Sequence, residues 1–429
     1  MRITIYRGTH EIGGTLIELF AAGTRLLLDA GYPLFLNGHP IDDAVAKLPP
    51  DELLKLGVLP TVKGLYAWDE PSVSAVLISH AHLDHYGLLQ YVHPDIPVYL
   101  SNGTKTLIEV SQMFKISTDY PINGQLFNMY EPFTVGTFTI KPYLMDHSAF
   151  DAAAFEIRAE DKTVLYSGDF RGHGRKAGCL DAFIRQAAKH ADVLLSEGSM
   201  LTRSDERTIS EDALEGIVVD EIAKHKGIAL FQTSSQNIDR IVTFYRAALR
   251  LGRTFVVDVY TANVLTALHA LGNRIPYPSY DKLKVFFPRR LTEKIFDEIG
   301  SAYAYRFAPY RISREQVAQE QDNIVMLVRP SMQRDLVQCK LSGGIFMYSM
   351  WQGYRNGDYQ QSFEAWIDGC GIHRVYHHTS GHARVSDIRR LIDGLQPKRI
   401  VPIHTMQPES FLAYSDKVTL QSDGVPFDV

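Results

Sequence analysis

Residues 78–87 read Ile78-Ser79-His80-Ala81-His82-Leu83-Asp84-His85-Tyr86-Gly87. Three imidazoles and one carboxylate fall within six positions of this stretch. His80 and His82, one residue apart in extended backbone, point the same way. Asp84 and His85 follow just past the bend. Neutral imidazole and carboxylate suit zinc, with manganese as the competitor. Their division into two subsets implies two adjacent ions rather than one. The run Val73, Ala75, Val76, Leu77, Ile78 ahead of them reads as a buried strand. It delivers the motif to a sheet end, where α/β sites form. A single histidine is ordinarily a surface or core residue. With 16 histidines in 429 residues, this spacing by chance is the weaker reading.

A chain of 429 residues exceeds one ordinary domain, so two are expected. Hydrophobic content of 45% and charge of 22% are those of a soluble globular protein. No apolar run reaches the length of about 18 residues that predicts a membrane span. Residues 1–7 read as a strand rather than a signal peptide. Cys179, Cys339 and Cys370 are scattered and odd in number, which argues against a disulfide framework and predicts a reducing, cytoplasmic setting. The net charge of −5 excludes a globally basic nucleic-acid binder but not a nucleic-acid substrate. One basic cluster, Arg171-Gly172-His173-Gly174-Arg175-Lys176, makes Arg171 a candidate phosphate contact, with a solvated loop as the alternative of equal weight.

Residues 1 to about 200 alternate apolar strands and turns, with strands expected at 15–20, 25–29, 73–78, 98–100, 137–142, 164–167 and 193–197. The polar stretch 202–207 reads as a boundary. Beyond it the pattern lengthens into α/β units. Thr208 and Glu211 have capping-box spacing. Leu214, Ile217, Val218 and Ile222 mark a helical face, and residues 228–231 a short buried strand. Thr233-Ser234-Ser235-Gln236-Asn237 then turns into another helix, with Ser234 or Ser235 read as its N-cap or, alternatively, as part of an anion site, and residues 253–260 form the next strand. Such repeats predict a parallel sheet, with a further strand pair at 324–328 and 344–350. Residues 375–377 and 399–403 read as strands of the first domain, resumed. The expected organisation is a first domain over 1–203, an inserted domain over 204–368 and a return over 369–429.

The His80–His85 motif resembles the HxHxDH signature of the metallo-β-lactamase-fold hydrolases, and the rest of that pattern follows in order. Asp29 closes Arg25-Leu26-Leu27-Leu28-Asp29. His147 stands in Met145-Asp146-His147-Ser148, Asp169 in Ser167-Gly168-Asp169-Phe170 and His404 in Val401-Pro402-Ile403-His404. The insertion ahead of His404 resembles the β-CASP branch, the RNA- and DNA-cleaving members. Glu197 in Leu195-Ser196-Glu197-Gly198 and His382 in Thr379-Ser380-Gly381-His382-Ala383 match two further motifs of that branch, and His404 matches the form found in RNA-processing members. The segment 231–240 resembles ribonuclease J-like proteins. The Gly-rich phosphate motif of ribonuclease J is not evident in Val328-Arg329-Pro330-Ser331-Met332-Gln333, and a ribonuclease J-like protein lacking that family's C-terminal domain is expected.

The resemblance implies an α/β fold: a metallo-β-lactamase αββα sandwich with an inserted α/β β-CASP domain. It implies a two-zinc phosphodiester hydrolase acting on RNA or single-stranded nucleic acid. His80, His82 and His147 would hold one Zn2+ and Asp84, His85 and His404 the other, with Asp169 bridging; Mn2+ is an allowed substitute. Asp29 and Glu197 would orient imidazoles. Metal-held hydroxide would attack, and His382 would protonate the leaving oxygen, so that Asp84, Glu197 and His382 are the catalytic candidates. Ser234, Ser235, Ser380 and Arg171 are candidate substrate contacts, the substrate strand lying in a cleft between the domains. Relatives are commonly dimeric, which leaves a homodimer open; no membrane partner is expected. The same metal core also serves small-molecule phosphodiesterases, lactonases and thioesterases. Endo- against exonuclease action and the roles of His173, His377 and His378 stay open.

Overall fold

The structure is a computed structural model and describes residues 1–115, 117–118, 120–201 and 208–429. The polar stretch 202–207, read above as a boundary, lies outside the described residues. The chain divides into two compact units. Met1–Ile108, Ser117–Thr208 and Gly381–Val429 make the first; Glu109–Ile116 and Ile209–Ser380 make the second.

In the first unit, strand residues alternate with period two. Ile3 and Ile5 of Arg2–Arg7 turn inward, while Arg2 is exposed. One sheet runs in the order Pro426–Asp428, Arg2–Arg7, Leu16–Ala21, Thr24–Leu28, Ala75–Leu77, Val98–Leu100, Gly124–Leu126. A second runs Ile400–Ile403, Val193–Glu197, Lys162–Tyr166, Ala153–Ala159, Phe138–Leu144, Phe133–Val135. The two face each other over one core. Ile3, Ile5, Leu19, Leu26 and Leu77 enter it from the first sheet, and Phe138, Ile140, Phe155, Val164 and Val401 from the second. Each such side chain contributes about 1.5–3 kcal/mol through burial. On the outer face of the second sheet, Leu180 and Phe183 of helix Gly178–Gln186 pack with Ile388, Leu391 and Leu395 of helix Val385–Leu395. The 388/391/392/395 spacing of the latter is one helical face. This is the sandwich the sequence implied.

Parallel pairing decides where the chemistry lies. Thr24–Leu28 is parallel to Ala75–Leu77, so Asp29 and Ser79 emerge at one edge. Lys162–Tyr166, Val193–Glu197 and Ile400–Ile403 are mutually parallel, so Asp169, Glu197 and His404 also emerge together.

The second unit holds a sheet in the order Arg311–Ile312, Leu283–Phe286, Thr254–Asp258, Ile324–Leu327, Ile228–Gln232, Gly344–Tyr348, His373–Tyr376, parallel throughout. Helices Glu211–Lys224, Ile238–Arg250 and Val259–His269 connect or precede its strands. Four details differ from the sequence reading. The strand at 373–376 joins this sheet rather than the resumed first domain, because it pairs with Gly344–Tyr348. The strands at 324–327 and 344–348 are not partners of each other; each flanks Ile228–Gln232. The helix from Glu211 is capped by Ser210, whose hydroxyl accepts from the Ala213 N–H at 3.1 Å, and not by Thr208. The next helix is capped by Asn237, not by Ser234 or Ser235. All three cysteines are free thiols. Among the described residues no helix is long and apolar enough to cross a membrane.

Candidate metal centre

Two residues that leave strands toward the site do so in left-handed backbone, Asp29 at φ 58° and His404 at φ 49°. That conformation is uncommon for residues other than glycine, and its concentration at one site marks backbone held by its surroundings. Gly31 answers a different demand. A Cβ there would lie 1.9 Å from the Asp84 carbonyl oxygen, so only glycine lets the 29–31 turn lie against the motif loop.

Asp169 Oδ2 is the hub. It lies 3.2 Å from His85 Nε2, 3.5 Å from His404 Nε2, 3.8 Å from His80 Nε2 and 4.0 Å from His147 Nε2. On one side of it, His82 Nδ1 lies 3.1 Å from His80 Nε2 and 3.2 Å from His147 Nε2. On the other, Asp84 Oδ2 is 3.8 Å from both His85 Nε2 and His404 Nε2. Four overlapping groups of candidate ligand atoms, each within 4.8 Å, result: His80/His82/His147, Asp84/His85/His404, His80/His85/Asp169 and His147/Asp169/His382.

Nitrogens that turn away from this point are engaged. His85 Nδ1 is 2.7 Å from Asp29 Oδ2, and His147 Nδ1 is 2.6 Å from the Gly381 carbonyl. His80 Nδ1 meets Ser79 Oγ at 3.0 Å, and that hydroxyl donates to Asp29 at 2.8 Å. His404 Nδ1 meets Thr15 Oγ1 at 3.0 Å. His404 Nδ1 also accepts the Gly13 N–H at 3.3 Å, and the Nδ1 contacts of His80, His85 and His147 leave their Nε2 atoms facing the centre. Asp29 also accepts from the Ser79 N–H and from the Tyr166 hydroxyl at 2.5 Å.

Electrostatics agree for four of the five rings. Burial, reinforced by neighbouring imidazoles, holds His80 and His147 well below the ordinary histidine range. Burial likewise lowers His82 to about 4, against opposition from Asp84 and Asp169, and depresses His404. Four imidazoles are therefore neutral, the form that ligates. Burial also acts to lower His85, but Asp169, Asp29 and Asp84 outweigh it and raise it well above its usual value. Burial opposes ionisation of Asp169, yet His404, His85 and His382 hold it far below the carboxylate range.

His382 stands beside this cluster, its side chain 26% exposed where the His80 and His85 side chains are fully enclosed. Its Nδ1 is 3.2 Å from Glu197 Oε2 and 3.5 Å from Asp169 Oδ2. Burial lowers its affinity for a proton, but the two carboxylates prevail and lift it to about 9. Glu197 thus lies against His382, and it also accepts the Phe170 N–H at 2.9 Å.

The candidate substrate contacts fare differently. Arg171 is fully buried and pairs with Asp146 at 3.2 Å, so it does not face solvent beside the centre. Ser235, in the second unit, is buried and bonded to Thr261 Oγ1 at 2.5 Å and to Arg329, which leaves it inside a closed network. Ser234 is exposed and accepts from the Gln236 N–H. Ser380 is buried at the end of the second unit. His173 is buried beside Asp387, while His378 faces Arg240 and the Ser349 carbonyl. Sequence reasoning did not identify Ser79, Thr15 or Tyr166, which hold Asp29 and the imidazoles. Only the place of Ser79 directly before His80 could have flagged one of them.

The buried atoms His85 Nε2, His404 Nε2 and Asp169 Oδ2 have no hydrogen-bond partner among the described residues. Lone pairs buried together without donors are costly unless a cation compensates them. The donor set of imidazole and carboxylate therefore fits a divalent metal.

Residues 42–221 match the model of a beta-lactamase superfamily domain, and residues 370–423 that of a Zn-dependent metallo-hydrolase RNA specificity domain. Curated relatives include ribonuclease J of Sinorhizobium meliloti, 25% identical over 81% of this chain and 60% of the relative. Ribonuclease J of Helicobacter pylori is 20% identical over 94% of this chain and 56% of the relative. That of Pyrococcus abyssi is 20% identical over 94% and 89%. The chain thus spans about 60% or less of the length of the first two of these relatives. A crystal structure of an Enterococcus faecalis V583 protein of unknown function shares the fold, with a TM-score of 0.76 at 22% identity over 99% of both chains. With its paired sheets and its ordered His/Asp signature, the chain has the metallo-β-lactamase fold, carries a beta-lactamase superfamily domain over 42–221, and is similar over most of its length to the ribonuclease J relatives.

Proposed function

We propose that this protein is a two-zinc phosphodiester hydrolase whose substrate is RNA. The observation that carries the reading is the convergence of six side chains, from residues 80 to 404, around Asp169. His80, His82 and His147 would hold one ion, and Asp84, His85 and His404 the other, with Asp169 shared. Bound there, divalent ions supply Lewis-acid chemistry that acidifies water toward neutral pH and stabilises charge on the phosphodiester. Everything else falls to the chain itself. Asp29, Ser79, Thr15 and the Gly13 N–H hold the imidazole rings in place. Glu197 aims His382 through Nδ1, so that a proton is delivered from Nε2 to the leaving oxygen, a task contributing about 10²–10⁴-fold. The raised proton affinity of His382 suits an acid, and a cation beside Asp169 would bring it down toward neutrality. The RNA preference rests on the RNA specificity domain match over the segment that contains His382 and His404.

The test is digestion of 5′- and 3′-labelled RNA and single-stranded DNA by zinc-loaded protein, with bis-p-nitrophenyl phosphate and a lactone in parallel. Metal-dependent RNA cleavage at rates far above the small substrates is expected, and product length separates endo- from exonuclease action. Lactone turnover without RNA cleavage would move the assignment to the small-molecule hydrolases, the class that the acidic net charge of −5 favours.

A further inference from the structure

Asp169 is followed by Phe170-Arg171-Gly172-His173-Gly174, a loop pinned on three carboxylates that face it from separate parts of the first unit. The Phe170 N–H donates to Glu197 at 2.9 Å. The Gly172 N–H donates to Asp387 at 3.1 Å, and the His173 ring lies 3.7 Å from the same carboxylate. Between them, Arg171 makes a double attachment to Asp146. Its N–H donates to the Asp146 carbonyl at 2.7 Å, and its guanidinium Nε to Asp146 Oδ1 at 3.2 Å. Both side chains are fully enclosed.

Asp146 immediately precedes His147, and Arg171 lies two residues beyond Asp169. The pair therefore joins two loops, each of which carries one side chain of the cluster at its other end. Gly174 completes the arrangement. A Cβ there would fall 2.3 Å from Arg171 Nε, 2.4 Å from Asp146 Oδ1 and 2.5 Å from Arg171 Nη2. The backbone has given up a side chain at the one point where the pair needs the room. A fully buried ion pair contributes little net stability against an apolar replacement of equal shape. Its directional hydrogen bond from Nε to Oδ1 does, however, constrain geometry, which an apolar contact would not.

We propose that Asp146 and Arg171 are positioning residues that fix the separation of His147 from Asp169, and so set the affinity of the centre for its metal without touching metal or substrate. The inference rests on the metal-centre reading above. Groups that orient ligands typically account for about 10–100-fold in metal affinity. The same is expected here through the backbone of both loops.

The test compares wild type with Asp146→Asn, Arg171→Lys and Gly174→Ala in the full chain. Zinc affinity is read by chelator competition, and folding of the metal-free proteins by thermal unfolding and circular dichroism. Gly174→Ala removes no charge and crowds the pair, so it keeps the test decisive if the charge-altering variants fail to fold. We expect folded variants to bind zinc about 10–100-fold more weakly, with Arg171→Lys the mildest. RNA turnover should return at saturating zinc, with KM for RNA unchanged. Wild-type zinc affinity in a folded Gly174→Ala protein, with only its melting temperature lowered, would overturn the proposal and leave a structural pair. A wild-type protein that binds no divalent ion would sink the metal-centre reading itself, and this inference with it.

Discussion

Both units gather polar side chains at the carboxyl ends of parallel strands, and they use them in opposite ways. In the second unit, Arg329 follows strand Ile324–Leu327 and donates through Nε to Asp258 at 2.7 Å and through Nη2 to Thr261 at 3.2 Å; Asp258 in turn caps a helix by accepting the Thr261 N–H at 2.7 Å. Nearby, the buried Arg240 guanidinium is shared among Glu211, the Ser349 carbonyl and hydroxyl, and the Thr379 carbonyl. Donors there meet acceptors. In the first unit His85 Nε2 and His404 Nε2 converge on Asp169 Oδ2 at 3.2 and 3.5 Å, and none of these buried atoms has a hydrogen-bond partner among the described residues. A satisfied network builds a fold, whereas lone pairs aimed at one point call for a cation.

The sharpest way to break this contrast is to remove the hub. Asp169→Asn, or chelation of wild type, should lower RNA cleavage by at least about 10³-fold, because Lewis-acid stabilisation is worth several kcal/mol. Elemental analysis should show the variant depleted of metal, while thermal unfolding shows it still folded. His382→Ala should separate acid chemistry from metal binding. A loss of about 10²–10⁴-fold in kcat is expected with full metal content; unchanged cleavage would remove His382 from the reaction. The second unit should respond in the reverse sense. Arg240→Ala leaves Glu211 buried without its partner, so urea denaturation should show a loss of about 3–5 kcal/mol. Its metal content should equal that of wild type.

These contrasts were only partly visible beforehand. The ligand candidates were legible because each histidine or aspartate closes or follows a short apolar strand, and strand ends collect where sites form. The supporting residues were not. Thr15, Ser79 and Tyr166 are ordinary residues in or beside strands, and their bonds to His404 and Asp29 exist only once segments 50 to 389 residues apart are aligned. Arg171 misled for a related reason. A run of basic residues reads as solvated, and nothing in the order of residues shows that Asp146 meets its guanidinium inside the protein. The strand at 373–376 was placed in the wrong sheet because period and composition reveal a strand without revealing its neighbour.

Acid sensitivity offers a smaller test of the loop after Asp169. Burial opposes ionisation of Asp387, but hydrogen bonds from His173 and Arg384 outweigh it and hold the carboxyl well below its usual range. A depressed folded value means that the stabilisation is complete above the unfolded value of about 3.9 and is lost as pH falls toward the folded one. Asp387→Asn should therefore be less stable at pH 7 and should show a shallower decline below about pH 4, as measured by thermal unfolding across pH. The mildest effect concerns Cys339, fully buried in the second unit, where burial pushes the thiol up to about 11. Native protein at pH 8 should leave it unmodified by a thiol reagent until denaturant is added.

The central claim is that seven side chains of the first unit hold a pair of divalent ions. Anomalous diffraction at the zinc edge from crystals of zinc-loaded protein tests it most directly. Two peaks are expected, one among His80, His82 and His147 and one among Asp84, His85 and His404, both against Asp169. A lone peak elsewhere, or rings turned away from any peak, would contradict it.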